Sequence, residues 1–86
     1  MDKNDLIAIV KKKLKNQIAI EKIEIEDKSF LHKKHIGHQK DKFHLKLIIS
    51  SKFLKNLNRI ESNKKIYKVL DKEMKESIHS LQILIY

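Results

Sequence analysis

The chain has 86 residues, a formal net charge of +9, no cysteine, no proline and a single glycine. That length holds one compact domain, expected to occupy residues 1–86, and the mix of 41% hydrophobic with 36% charged residues suits a folded domain better than a disordered tail. The absence of cysteine excludes a disulfide framework, a thiol nucleophile and any metal or cluster site built on this chain's own thiolates.

Asp2 or Asn4 can cap a first helix, in which Leu6, Ile7, Ile9, Val10 and Leu14 form an apolar stripe opposite Lys11, Lys12, Lys13 and Lys15. The stripe fades near Gln17. From Ile20 the period becomes two, with Ile23 and Ile25 alternating with Lys22, Glu24 and Glu26, as in a half-buried strand. Residues Lys28 to Asp41 hold the only glycine, Gly37, among histidines and lysines, and read as one long polar loop. A second strand follows, with Phe43, Leu45, Leu47 and Ile49 on one face and Lys42, His44 and Lys46 on the other. Ser50, Ser51 and several asparagines mark a turn region, with a short helical turn expected over Asn56 to Arg59. One helix is predicted from about Asn58 to Glu76, with Ile66, Tyr67, Leu70 and Met74 sharing a face. The last segment, from Ile78 to Tyr86, reads as a third strand with His79, Leu81, Ile83 and Ile85 on one side. An antiparallel pair joined by a helical crossover to a parallel third strand gives an α+β sandwich, a small three-stranded mixed sheet with helices on one face.

The longest nearly apolar run, Leu81 to Tyr86, is far shorter than the ~20 residues of a membrane span. Neither a glycine-rich phosphate loop nor a nucleophile elbow is present, Ser29 near His32 lacks an orienting acid, and Glu21, Glu24, Glu26 and Asp27 read as an exposed strand face. An enzyme is not expected. Histidine is the chemically informative type: His32, His35 and His38 lie three apart in the loop, His44 is on the second strand and His79 opens the third. Neutral imidazole ligates iron, zinc and copper. Solvated loop residues, or a helix-terminal role for His79, are the plain structural alternatives.

Nucleic acid is the rival partner. The lysine clusters supply a non-specific phosphate-binding term, and Arg59, Lys64 and Lys65 are the weak candidates for contact. Base readout is harder to find. Nineteen of the twenty basic residues are lysine, and aromatic stacking groups are few, with Phe43 and Tyr67 reading as core.

Five segments, in order, resemble the BolA-like protein family. Ile25-Glu26-Asp27-Lys28-Ser29-Phe30-Leu31-His32 is similar to its strand and D-x-S-x-x-H motif at the start of the loop. Lys42-Phe43-His44-Leu45-Lys46-Leu47 resembles the HF-[KR]-V strand with the aromatic and histidine exchanged, and Ser50-Ser51-Lys52-Phe53 resembles VS-x-x-F. Ile66 to Met74 resembles IY-x-x-L-x-x-EL, and Ile78-His79-Ser80-Leu81 resembles VHAL. The family's basic R-H-R falls on Ser62-Asn63-Lys64, and the G-x-x-G loop of true KH domains is missing.

The resemblance implies a class II KH-like fold in the order αββ(α)αβ and a monothiol glutaredoxin as partner. It also implies a [2Fe–2S] cluster bridging the two proteins, with His32 and His79 as this chain's ligands and His35 and His44 as alternatives. The partner's cysteine and glutathione would supply the sulfur half. Two imidazoles on one iron and sulfur on the other is known cluster chemistry, and it raises the reduction potential above that of an all-thiolate cluster. The isolated chain is expected to be a cluster-free monomer without membrane attachment. Its expected compartment is the cytoplasm, or the mitochondrion where a leader has been removed. A DNA- or RNA-binding regulator is the alternative function.

Overall fold

A computed structural model describes residues 2–28 and 42–86. Its elements are α1 (Lys3–Gln17), β1 (Lys22–Asp27), β2 (Phe43–Ser50), α2 (Lys52–Lys55), α3 (Arg59–Val69), α4 (Asp71–Glu76) and β3 (Ile78–Ile85). No described helix is long and apolar enough to cross a membrane.

Asp2 caps α1, its carboxylate accepting from the Asp5 amide at 2.8 Å. Leu6, Val10 and Leu14, one helical repeat apart, are fully buried, while Ile7 and Ile9 flank them half-buried. β1 pairs antiparallel with β2, and β2 parallel with β3, giving the sheet order β1-β2-β3. Across the sheet, Ile25, Leu47 and Ile83 align, as do Ile23, Ile49 and Ile85. This row packs with Leu6, Val10, Leu14, Leu54, Ile66 and Leu70 into one core, which is the α+β sandwich expected from the sequence.

The crossover between β2 and β3 differs from the expected single helix. Leu70 takes φ −97°, ψ 18°, ending α3 and starting α4. The break keeps Leu70 in the core while turning α4, so that Glu73 is buried and Met74 only half-buried. The preceding helical turn also falls earlier than Asn56 to Arg59, because Ser51 begins it as the cap of α2. Asn58 then caps α3 through the Glu61 amide. Tyr67, expected in the core, is 39% exposed, and Phe43 is half-buried.

Ser51 joins three segments. Its hydroxyl donates to the Ala19 carbonyl at 2.7 Å and accepts from the Leu54 amide at 3.1 Å, with the residue 1% exposed. Ser51→Ala strands two backbone groups inside the protein. An expected loss of about 1–2 kcal/mol follows, read as a lower urea midpoint at unchanged slope.

Candidate functional site

The candidate site forms where β2 and β3 begin. Phe43 pairs with Ile78 but His44 pairs with Ser80, so His79 is the extra residue of a bulge in β3. The bulge changes the alternation read from the sequence. Ile78, not His79, continues the core face of Leu81, Ile83 and Ile85; Ile78 is buried and His79 is exposed. A core position would have left an imidazole among aliphatic side chains. The extra residue instead presents it at the sheet end.

There His79 meets His44. The ring centroids are 4.8 Å apart with an interplanar angle of 66°, an edge-on contact. His44, expected on the polar face, lies on that face yet is only 7% exposed. Its Nδ1 shares a hydrogen bond with Ser80 Oγ at 2.6 Å, and its carbonyl accepts from the Lys28 amide, also at 2.6 Å. The second of these bonds ties the end of the β1 segment to the same corner. Ser80 escapes sequence reasoning, since its contact depends on a parallel register between residues 36 positions apart.

Two imidazoles on one tetrahedral ion, with metal–nitrogen bonds of ~2.0–2.1 Å, place their ring centroids ~5 Å apart. The separation of His44 and His79 is of that size, and the hydrogen bond between His44 Nδ1 and Ser80 Oγ fixes the orientation of the His44 ring. Among the described residues no group of three or more His, Asp or Glu side chains converges as a metal site. His32, His35 and His38 lie outside the described residues.

Arg59 and Lys65, six positions apart on α3, have different surroundings. Arg59 lines a groove beside β3, whereas Lys65 lies on another side of α3, its Nζ 5.6 Å from the Phe53 ring centroid. Lys64 is exposed on the same helix.

The family model for BolA-like proteins matches residues 14–86. The chain belongs to the BolA-like family. It is 28% identical over 78 residues to a Haemophilus influenzae protein named DNA-binding transcriptional regulator BolA, covering 91% of this chain and 73% of that one. Two solved Arabidopsis thaliana structures share the fold. The BolA domain of SufE1 has a TM-score of 0.75 and 27% identity over 91% of this chain and 86% of its own. BolA1 has a TM-score of 0.76 and 26% identity with the same coverage. The three-stranded mixed sheet with its covering helices is thus the BolA-like fold.

Proposed function

We propose that this BolA-like chain is a non-enzymatic adaptor in iron–sulfur cluster assembly or trafficking. It pairs with a monothiol glutaredoxin and supplies imidazole ligands to a bridging [2Fe–2S] cluster. The observation carrying the proposal is the placement of His79, lifted out of the core by the β3 bulge and set against His44. His79 is one ligand and His32 the other, with His35 and His44 the alternatives; the partner's cysteine and glutathione complete the set. Such a cluster would supply one-electron chemistry and a labile iron–sulfur cargo. This chain's residues hold and orient: Ser80 fixes the His44 ring, and His44 fills the space behind His79. Without the partner the chain is a cluster-free monomer. The cytoplasm is the proposed compartment, with the mitochondrion as the alternative.

Anaerobic reconstitution with a monothiol glutaredoxin and glutathione tests the pairing. The expected product is a mixed complex whose visible circular dichroism differs from that of the glutaredoxin alone. A mixture that yields only the glutaredoxin's own cluster rejects the adaptor.

A second reading is favoured by the name of the Haemophilus influenzae relative and by the surplus of lysine: a DNA- or RNA-binding regulator using Arg59, Lys64 and Lys65. The separation of Arg59 from Lys65 around α3 predicts non-specific binding only. Affinity for duplex DNA should fall steeply with salt, with less than about threefold preference for any sequence over random competitor in a selection experiment. A strong sequence preference would favour the regulator.

A further inference from the structure

β3 forms one edge of the sheet, and among the described residues no strand pairs with its outer side. The Tyr86 amide donates to the Ile49 carbonyl, so in a parallel ladder Leu84 and Gln82 also turn their backbone groups toward β2. Leu81, Ile83 and Ile85 therefore turn theirs outward. The Tyr67 hydroxyl, 3.4 Å from the Leu81 carbonyl, agrees with that phase and occupies one of these groups. The N–H and C=O of Ile83 and Ile85 are left as a template two residues long at the least, beside an apolar row.

Two adjoining grooves of about 400 and 470 Å³ run along this edge, sharing Arg59, Asn63, Ile83 and Leu84. Their charged lining residues are Lys55, Arg59 and Lys46; neither groove has an acidic one. Leu84, 48% exposed, lies between them. The open template is set apart from His79, since Ile83 is about 13 Å along the strand from it at ~3.3 Å per residue.

We infer that the outer edge of β3 and the cationic groove beside α3 take up an extended, acidic peptide segment of a partner protein as a fourth strand. An exposed edge offers alternating donors and acceptors, which a peptide backbone answers one for one. Phosphate answers only the donors, and the outward carbonyls of Ile83 and Ile85 repel it. A second copy of the chain would bring another +9 charge to a groove without a carboxylate. An acidic strand meets Lys55 and Arg59 with its carboxylates and places its apolar side chains on the opposite face, over Leu84. This inference is independent of the cluster ligands, and the adaptor can fail while the docking edge stands.

The full ¹⁵N-labelled chain titrated with acetyl-(Asp-Val)₄-amide tests it. The expected result is saturable shifts centred on Leu81, Ile83 and Ile85, slower exchange of the Ile83 and Ile85 amides, and affinity reduced about tenfold or more in Lys55→Glu/Arg59→Glu. Both residues are exposed, so the variant should fold. N-methylation of alternate valines, which removes backbone donors while keeping every carboxylate, is expected to abolish the shifts, and (Lys-Val)₄ should not bind. No binding at millimolar peptide, shifts centred elsewhere or equal binding of the N-methylated peptide would overturn the inference. So would tighter binding of oligodeoxythymidine at the same amides, which makes nucleic acid the occupant. Concentration-dependent shifts of those amides without peptide would make it a second copy.

Discussion

His79→Ala is expected to remove the mixed cluster. In reconstitution with the glutaredoxin, cluster occupancy should fall about tenfold or more, with loss of the mixed complex's visible circular dichroism. The fold should survive, because His79 is an exposed bulge residue whose ring contact is with His44 and not with the core. Far-ultraviolet circular dichroism should be unchanged, and stability within about 1 kcal/mol of the parent. His32→Ala should match the His79 effect. His44→Ala should keep the cluster but release it faster, since it removes the ring packed behind His79. If His44→Ala rather than His32→Ala abolishes the spectrum, the two described imidazoles are the ligand pair. An unchanged spectrum in His32→Ala/His79→Ala sinks the ligand assignment altogether.

Lys13→Met is expected to be among the most destabilising single changes outside the apolar core. Lys13 Nζ lies 2.7 Å from Glu73 Oε2 and joins α1 to α4 across 60 positions of sequence. Glu73 is 6% exposed, and its Oε1 is buried without a hydrogen-bond partner among the described residues. Removing the ammonium leaves a buried carboxylate with its remaining attraction gone, a change that costs ~3–5 kcal/mol when both partners are fully enclosed. The Lys13 side chain is 35% exposed, so water recovers part of that cost, and about 2–3 kcal/mol is expected. For a domain of this size that is a fall in Tm of roughly 10 °C or more. Lys13→Met/Glu73→Leu should recover to within about 1 kcal/mol of the parent, since an apolar pair avoids the desolvation altogether. A Lys13→Met loss below about 0.5 kcal/mol in denaturant titration would mean that solvent already satisfies the carboxylate.

Period and capping chemistry made much of the fold legible. Leu6, Val10 and Leu14 follow one helical stripe, Ile23 and Ile25 one strand face, and Asp2 caps where its side-chain type allows. Local patterns could not locate the break at Leu70, because a residue with helical neighbours and an apolar side chain reads as helix continued. Turning α4 there brings Glu73 to the Lys13 ammonium on α1, a contact 60 positions away in sequence. Tyr67 read as core for the same reason, yet its hydroxyl reaches the β3 edge.

By itself the sequence determined the three strands and their order, the apolar faces of β1 and β2, the family motifs and the absence of thiolate ligands, all properties of local spacing and residue type. Only the tertiary structure decided where His44 and His79 stand. A strand of period two assigns His79 to the face of Leu81 and Ile83, and one extra residue reverses that assignment. The bulge exists because Ile78 and Leu81 must both face the core against β2, and an odd spacing of three cannot satisfy a two-residue period without it. His79 is the residue displaced, and the parallel register that displaces it also brings His44 and Ser80 beside it.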